Sequence, residues 1–223
     1  MRCKHDTAHH RWSLYFAVLE YADVGALMLY DEDECKYTCP FWHKAVLPLP
    51  VVLQIMHDLF LALASLHEQN VAHRDVKPDN CCMTSDGRTQ LTDFGVSARV
   101  VPGASPSVGV VPPMTSDTAG TFMYLCPEAA AGDEYDIYAA DVWAAGITFY
   151  VLLYGQVPFG ANASTAMELF EAIRSGELPA DLPPRSCIED DACAASMSAW
   201  QDLLRSCLMP AQSARPTAAA AAA

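Results

Sequence analysis

A long apolar stretch in the second half of the chain constrains its fold more than any other feature. No charged residue lies between Val142 and Met167, and the strongly apolar part, from Val142 to Tyr154, is 13 residues long. A helix needs about 20 apolar residues to cross a bilayer, so this stretch is too short for a membrane span. Helices that are apolar on every side belong in the core of a globular domain. We therefore predict a buried helix from Tyr138 to Tyr154, ended by Gly155.

Composition and charge limit the possible partners. The chain has 223 residues, of which 52% are hydrophobic and 18% are charged, which is enough apolar material for the core of one domain. Lysines and arginines number 13 against 27 aspartates and glutamates, so the net charge is −14. Nonspecific nucleic-acid binding and docking on anionic membranes both depend on basic side chains. We therefore expect neither a nucleic-acid partner nor a role at a membrane surface.

The nine cysteines indicate a reducing compartment. Their number is odd, none are spaced C-x-x-C, and the polar start of the chain is unlike a secretory signal. We therefore expect free thiols and a cytoplasmic location. Cys35, Cys39 and His43 lie four residues apart and could share a helix face as zinc ligands, but a fourth ligand is not evident. The sequence therefore does not favour a zinc site.

Three further helices are predicted from local patterns. Apolar residues recur every three or four positions between Pro50 and Asn70, which is the period of an amphipathic helix. Thr165 and Glu168 have the spacing of a capping box, and they begin a helix that Gly176 ends. A last amphipathic helix contains Trp200, Leu203, Leu204, Cys207 and Leu208.

Other segments carry no helical period. The short apolar run from Leu14 to Leu19 predicts a buried strand. The segment that follows it contains the acidic run from Asp31 to Glu34, and we expect an irregular, solvated loop there. Residues 96–119 are rich in valine, proline, serine and glycine, which predicts a mobile loop. Together these patterns indicate an α+β fold that is mostly α-helical, with a few short strands.

A predicted hairpin carries the first functional argument. The short runs 81–83 and 90–92 flank Asp86-Gly87, a pair typical of a tight turn between antiparallel strands. Asn80 precedes the first strand and Asp93 follows the second, so both emerge at the same end of the hairpin. An amide oxygen and a carboxylate are hard oxygen ligands of the kind that Mg2+ prefers. The sequence therefore predicts a magnesium site formed by these two residues.

The segment just before the hairpin adds the remaining groups for phosphoryl transfer. Residues 73–80 read H-R-D-V-K-P-D-N, and Asp93 begins the triplet D-F-G. In-line phosphoryl transfer needs a group that accepts the hydroxyl proton and cations that spread the developing negative charge. Asp75 supplies a carboxylate and Lys77 an ammonium group close to the two proposed metal ligands.

These motifs resemble those of the protein kinase family over nearly the whole chain. The matching segments, in order, are the catalytic loop 73–80, D-F-G at 93–95, G-T-F-M-Y-L-C-P-E at 120–128, D-V-W-A-A-G at 141–146 and R-P-T at 215–217. The resemblance implies a kinase C-lobe with a short strand and hinge from the N-lobe. Residues 1–22 would then be the N-lobe remnant and 23–223 the C-lobe, with the activation segment at 93–128.

The resemblance also implies catalytic roles, with ATP and Mg2+ as cofactors. Asp75 would position the substrate hydroxyl and accept its proton, and Lys77 would meet the γ-phosphate of ATP. Asn80 and Asp93 would hold Mg2+. The lysine two residues after the catalytic aspartate, together with Thr121, is similar to the serine/threonine class rather than the tyrosine class.

Further positions follow from the same resemblance. Leu19 falls at the gatekeeper position, Glu20 and Ala22 lie on the hinge that would bind adenine, and Cys82 would lie under the adenine ring. Three matches are implied to be structural: Glu128, Asp141 and Arg215, with the first and last forming a buried ion pair.

The resemblance also implies a set of residues that regulate activity, and Thr121 is one of them. Arg74 is suited to bind a phosphate of the activation loop, and Ser116 and Thr118 are the candidate phosphate acceptors.

A narrower resemblance concerns the substrate. Residues 13–20, 93–97, 118–121 and 141–159 are similar to the calcium/calmodulin-dependent protein kinase kinase group. In that group the substrates are related kinases, so the implied partner is a protein substrate, which could itself be a kinase.

Two parts of a complete kinase site are missing from this sequence. A kinase uses a Gly-rich loop over the phosphates and an N-lobe lysine paired with a helix glutamate. The chain has no G-x-G, and its four lysines are Lys4, Lys36, Lys44 and Lys77. The first lies in the polar leader, the next two follow the hinge, and the last belongs to the catalytic loop.

Three interpretations follow from this deficit. The favoured one is the C-lobe part of a serine/threonine kinase in a chain that begins inside the kinase domain, so that residues 1–223 alone would have negligible activity. The second is a non-catalytic, kinase-like binding or scaffold module that presents the surface after Phe159 to partners. The third is a phosphotransferase that uses the lysine of another chain. The joint presence of the four proposed catalytic and metal-binding residues favours the first over the second, because a scaffold needs none of them.

Overall fold

The computed structural model describes residues 19–31, 33–34, 36–42, 47–103, 110–176, 178, 182 and 194–223. Within these ranges the α-helices are α1 (Leu49–Glu68), α2 (Pro127–Ala131), α3 (Ile137–Tyr154), α4 (Ala166–Ser175), α5 (Ala194–Cys207) and α6 (Ala218–Ala222). The strands are β1 (Gly25–Ala26), β2 (Leu29–Asp31), β3 (Lys36–Thr38), β4 (Val71–Ala72), β5 (Cys81–Met83), β6 (Thr89–Leu91), β7 (Ala98–Val100), β8 (Val110–Val111), β9 (Met114–Thr115) and β10 (Tyr135–Asp136). This mixture confirms the predicted α+β class.

The strands form four small sheets. Strand β5 pairs antiparallel with β1 on one side and β6 on the other, and β2 pairs with β3 in a separate hairpin. Strand β7 is antiparallel to β4 and parallel to β8, while β9 is antiparallel to β10. Each sheet has only two or three strands, so the helices supply most of the core.

Helix α3 is the central element of the core, as the apolar stretch predicts. The Asp136 side chain caps its first turn by accepting hydrogen bonds from the backbone of Tyr138 and Ala139. Gly155 ends the helix in the left-handed region with φ of 74°. Gly146 allows α5 to approach closely, because a Cβ at this position would lie 2.9 Å from the Cβ of Cys207. The centre of α3 therefore admits no larger residue without a shift of its neighbours.

The predicted helices α1 and α4 are also present. The apolar positions of α1 that recur every three or four residues are buried: Val52, Ile55, Met56, Leu59 and Leu63. At the start of α4 the Thr165 hydroxyl accepts a hydrogen bond from the Glu168 amide, at 3.2 Å. The Glu168 carboxylate in turn accepts a hydrogen bond from the Ser164 amide, one residue before the position expected for a capping box.

By length and hydropathy alone, helices α1 and α3 could each cross a membrane. However, 78% of the most apolar 18-residue segment of α3 is buried within the protein. For the most apolar segment of α1 the buried share is 39%. Core helices of globular proteins meet the same criteria, so the two helices do not show that the chain spans a membrane.

Two segments predicted as loops contain strands instead. The segment after Glu20 includes β1, β2 and β3, and it buries Leu27 and Met28 completely. Residues 96–119 include β7, β8 and β9. These strands have two or three residues each, too few for a period. Strands β1, β7 and β9 pair with β5, β4 and β10, which lie elsewhere along the chain, whereas β2 pairs with β3 and β8 with β7.

Some expectations fall outside the described residues. Residues 14–18 of the predicted strand are outside the described residues. Cys35 and His43 of the proposed zinc site are outside them as well. The structure describes only Cys39 of that set, as a half-buried free thiol. Among the described residues, no group of three histidine, cysteine or acidic side chains is arranged to hold a metal.

Candidate active site

Asp141 on helix α3 fixes the start of the catalytic loop. Its carboxylate accepts hydrogen bonds from the backbone amides of His73, at 2.9 Å, and Arg74, at 2.8 Å. The imidazole of His67 lies 2.9 Å from the same carboxylate. Arg74 has a left-handed φ of 71°, a conformation that costs free energy and persists where surrounding bonds enforce it. Asp141 is therefore placed to hold the loop in this conformation.

The Asp75 carboxylate is the centre of a hydrogen-bonded cluster. One oxygen accepts from the backbone amide and the hydroxyl of Thr121, at 3.0 and 2.8 Å. The other lies 3.0 Å from the ammonium group of Lys77 and accepts from the Asn80 amide at 3.0 Å. Partial burial opposes ionisation, but the hydrogen bonds from Lys77, Thr121 and Asn80 hold the pKa of Asp75 below its usual value. The group is therefore a carboxylate at neutral pH.

Thr121 links this carboxylate to the activation segment. Its hydroxyl accepts a hydrogen bond from Lys77 at 2.8 Å while donating to Asp75. The preceding residue, Gly120, has φ of 90°, and a Cβ there would overlap the carbonyl oxygen of Arg74. Only glycine allows this close approach between the activation segment and the catalytic loop.

The hairpin places Asn80 and Asp93 at one end, as the sequence predicts. Strands β5 and β6 are antiparallel, and the Thr92 amide donates to the carbonyl of Asn80 at 2.8 Å. The side-chain nitrogen of Asn80 donates to Asp75, and its side-chain oxygen accepts no hydrogen bond from any described residue. Asp93 is exposed, and one of its oxygens accepts from the Gly95 amide at 3.1 Å. The available oxygens therefore fit the donor chemistry of Mg2+.

Of the predicted adenine positions, Cys82 lies on strand β5 of the hairpin, and the others lie in the segment before β1. Strand β1, just after the predicted hinge, pairs with β5 in the register that sets Ala26 opposite Cys82. Cys82 is half-buried, and so is Ala22. Leu19 and Glu20 are exposed, and the Glu20 carboxylate lies 4.0 Å from the guanidinium of Arg88. The structure therefore places Ala26, four residues after Ala22 of the predicted hinge, opposite Cys82, and among the described residues it leaves Leu19 uncovered.

Glu128 and Arg215 form a buried ion pair away from the catalytic loop. One guanidinium nitrogen of Arg215 donates to both carboxylate oxygens of Glu128, at 2.8 Å each. Arg215 also donates to the carbonyl oxygen of Met209 at 2.9 Å, and its guanidinium lies 4.9 Å from the centre of a Trp143 ring. This pair joins α2 to the segment before α6, so its position is structural.

The Arg74 side chain meets a partner that sequence reasoning missed. Its guanidinium lies 2.7 Å from the Asp117 carboxylate and also donates to the Asp117 carbonyl at 3.1 Å. The Tyr135 hydroxyl donates to the same carbonyl oxygen at 2.7 Å. Ser116 and Thr118, the predicted phosphate acceptors, are exposed on either side of Asp117. The sequence feature that could have indicated this contact is Asp117 itself, an acidic residue between the two candidate acceptors.

The fold and the Asp75 cluster together define a phosphotransferase-like site on a mostly helical domain. A family model described as the protein kinase domain matches residues 5–223, which is nearly the whole sequence. The chain therefore belongs to the protein kinase family.

Its similar relatives are serine/threonine kinases of several groups. The chain is 36% identical over 154 residues to the calcium/calmodulin-dependent protein kinase kinase cmkC of Emericella nidulans, covering 68% of this chain and 25% of that protein. It is 30% identical over 187 residues to the serine/threonine-protein kinase TOS3 of Saccharomyces cerevisiae, covering 77% and 32%. It is 34% identical over 164 residues to the serine/threonine-protein kinase PEPKR2 of Arabidopsis thaliana, covering 74% and 30%. The chain thus spans a third or less of the length of each of these relatives.

Proposed function

We propose that this chain is the C-lobe part of a protein kinase that transfers the γ-phosphate of ATP to a serine or threonine hydroxyl of a protein substrate. The observation that carries the proposal is the Asp75 carboxylate, which is ionised, half-buried and held between the ammonium group of Lys77 and the hydroxyl of Thr121. A carboxylate in this state can accept a proton, and an adjacent ammonium group can neutralise a transferring phosphate.

Each residue of the cluster has a distinct part in this chemistry. Asp75 accepts the proton of the substrate hydroxyl as the oxygen attacks the γ-phosphorus, and ADP leaves. Asn80 and Thr121 keep the carboxylate oriented through their hydrogen bonds, and Lys77 would neutralise the charge that develops on the phosphoryl oxygens. Mg2+, when bound, neutralises phosphate charge, and the side-chain oxygens of Asn80 and Asp93 would hold it.

The proposed acceptor and substrate rest on the similarity to named kinases, and the proposed location rests on the free thiols. Relatives that are named serine/threonine kinases support a hydroxyl of serine or threonine as acceptor. One relative is named a protein kinase kinase, which supports a kinase as the substrate of this chain. Among the described residues the cysteines are free thiols, which supports a cytoplasmic location.

The direct test measures phosphate transfer by the longest protein that the gene encodes. Asp75→Asn keeps the size of the side chain but cannot accept the proton, so turnover should fall by about 10²–10⁴-fold. Lys77→Met should also lower turnover strongly. The matched control is Asp133→Asn, because Asp133 is exposed just after α2 and does not belong to the cluster.

The readouts are ADP release and phosphate incorporated into a mixture of serine and threonine peptides. Loss of transfer in the two cluster variants, with full transfer in the control, supports the proposal. Equal transfer by Asp75→Asn and the unmodified protein would contradict it. A second measurement, MgATP binding by calorimetry, should weaken in Asp93→Asn and in EDTA, because both remove the proposed metal contact.

A further inference from the structure

The hairpin of β2 and β3 is attached to the active-site region at several points. The backbone amide of Tyr30 donates to the carboxylate of Asp79 in the catalytic loop, at 3.3 Å. The backbone amide of Tyr37 donates to the carbonyl of Gly155 at the end of α3, at 3.2 Å. The rings of the two tyrosines lie 5.0 Å apart. The hairpin therefore rests between the catalytic loop and the central helix.

A buried hydroxyl pair joins this hairpin to the activation segment. The Tyr124 hydroxyl donates a hydrogen bond to the Tyr37 hydroxyl at 2.6 Å, and both residues are 4% exposed. Burial raises the pKa of both phenols well above the ordinary value, so both stay protonated at neutral pH. A buried hydroxyl without a partner is costly, so each of these two groups stabilises the position of the other.

Tyr124 forms a hydrogen bond with Thr121, a residue of the Asp75 cluster. It ends the 3-10 turn Phe122–Tyr124, and its backbone amide donates to the carbonyl of Thr121 at 2.9 Å. Thr121 in turn donates to Asp75 through both its amide and its hydroxyl. Hydrogen bonds, joined by the covalent structure of Tyr124 and Thr121, therefore connect the Tyr37 hydroxyl to the Asp75 carboxylate.

We propose that Tyr37 is a positioning residue for phosphoryl transfer. Its hydroxyl holds Tyr124, which keeps the turn in the conformation that directs the amide and hydroxyl of Thr121 at Asp75. Neither catalytic-loop nor activation-segment motifs contain Tyr37, which lies 87 residues before Tyr124. The catalytic part of this inference rests on the proposed function, whereas the effect of Tyr37 on Thr121 can be measured without ATP.

The first experiment measures amide hydrogen exchange at Thr121 in the full chain without nucleotide. Tyr37→Phe removes only the hydroxyl, and exchange at Thr121 should become about fivefold faster, the factor for loss of one typical neutral hydrogen bond. Tyr138→Phe is the matched control, because among the described residues its buried hydroxyl has no partner. Exchange at Thr121 in Tyr37→Phe equal to that in the control overturns the proposal.

A double variant separates positioning from stability. Tyr37→Phe leaves the Tyr124 hydroxyl buried without a partner, so the urea midpoint of unfolding should fall. Tyr37→Phe combined with Tyr124→Phe removes both hydroxyls, so the midpoint should recover most of that loss. Fast exchange at Thr121 that persists in the double variant supports positioning. If exchange slows to the original rate as the midpoint recovers, the role of Tyr37 is only structural and the proposal fails.

Kinetics then connect the positioning to turnover. In the longest protein that the gene encodes, Tyr37→Phe should lower kcat by roughly tenfold with little change in the KM for ATP, because misplaced groups slow the chemical step. An unchanged kcat in Tyr37→Phe overturns the catalytic part of the inference. If the unmodified protein transfers no phosphate, the proposed function fails, and the exchange result still decides whether Tyr37 positions Thr121.

Discussion

The guanidinium of Arg74 and the carboxylate of Asp117 form an ion pair, 2.7 Å long, between the catalytic loop and the activation segment. The Arg74 side chain is only 10% exposed, whereas that of Asp117 is 51% exposed. Arg74, which the sequence predicts to bind an activation-loop phosphate, therefore already has an anionic partner in the unmodified protein. Phosphorylation of Ser116 or Thr118 stays a prediction, and mass spectrometry of active protein tests it directly.

Asp117→Asn should loosen the activation segment. The change removes the charge that pairs with Arg74 but keeps the size of the side chain, so residues 114–121 should exchange their amide hydrogens faster. The effect on global stability should be under about 1 kcal/mol, because the Asp117 side chain is half-exposed. Hydrogen exchange by mass spectrometry measures this change.

Ser116→Ala is the matched control for Asp117→Asn, because Ser116 is exposed beside the ion pair. In unphosphorylated protein, the amide hydrogens of the segment should exchange as fast in Ser116→Ala as in the unmodified protein. Equal protection of the segment in Asp117→Asn and Ser116→Ala would show that the ion pair does not order it.

Breaking the buried pair of Glu128 and Arg215 should destabilise the domain strongly. Arg215→Met leaves a carboxylate in a largely buried position without its cation, which costs about 3–5 kcal/mol. The control is Arg174→Met, because Arg174 is exposed on α4. Urea unfolding measures both variants, and a similar small loss in each would argue against a structural role for the pair.

Gly120→Ala should damage the fold around the catalytic loop. A methyl group there meets the Arg74 carbonyl in addition to an unfavourable φ, so the cost should be about 2–4 kcal/mol. Gly87→Ala is the matched control for Gly120→Ala. Gly87 also has a positive φ, 83°, but a Cβ there would contact nothing within 4 Å. Its cost should be about 1 kcal/mol. Thermal unfolding compares the two, and equal losses would contradict the close approach at Gly120.

The buried cysteines should resist alkylation in the folded protein. Burial raises the pKa of the Cys126 thiol to about 11 and that of Cys207 to about 12. A raised pKa leaves almost no reactive thiolate at pH 8, and the fraction increases only as the pH approaches the raised value. Iodoacetamide at pH 8, followed by mass spectrometry, should modify neither thiol before unfolding and both in urea. Modification of Cys126 as fast as that of half-buried Cys39 would contradict the burial.

Local patterns in the sequence determine several elements and indicate the proposed catalytic groups. The apolar run predicts α3, the spacing of three and four predicts α1, and Asp86-Gly87 predicts the turn between β5 and β6. These predictions succeed because helix periodicity and turn chemistry depend on residues close together in the chain. The motif residues Asp75, Asn80 and Asp93 are likewise near each other in sequence.

Only the tertiary structure decides which distant groups meet. Arg74 and Asp117 are 43 residues apart, and Tyr37 and Tyr124 are 87 apart, so no local spacing indicates either contact. Strands such as β1, β4 and β9 also give no signal in the sequence, because pairing with a distant partner forms them rather than their own propensity. The sequence by itself thus determines which groups can perform the chemistry. The packing of the hairpin and the activation segment against the catalytic loop decides how those groups are held, because burial and hydrogen bonding act between residues that are neighbours only in space.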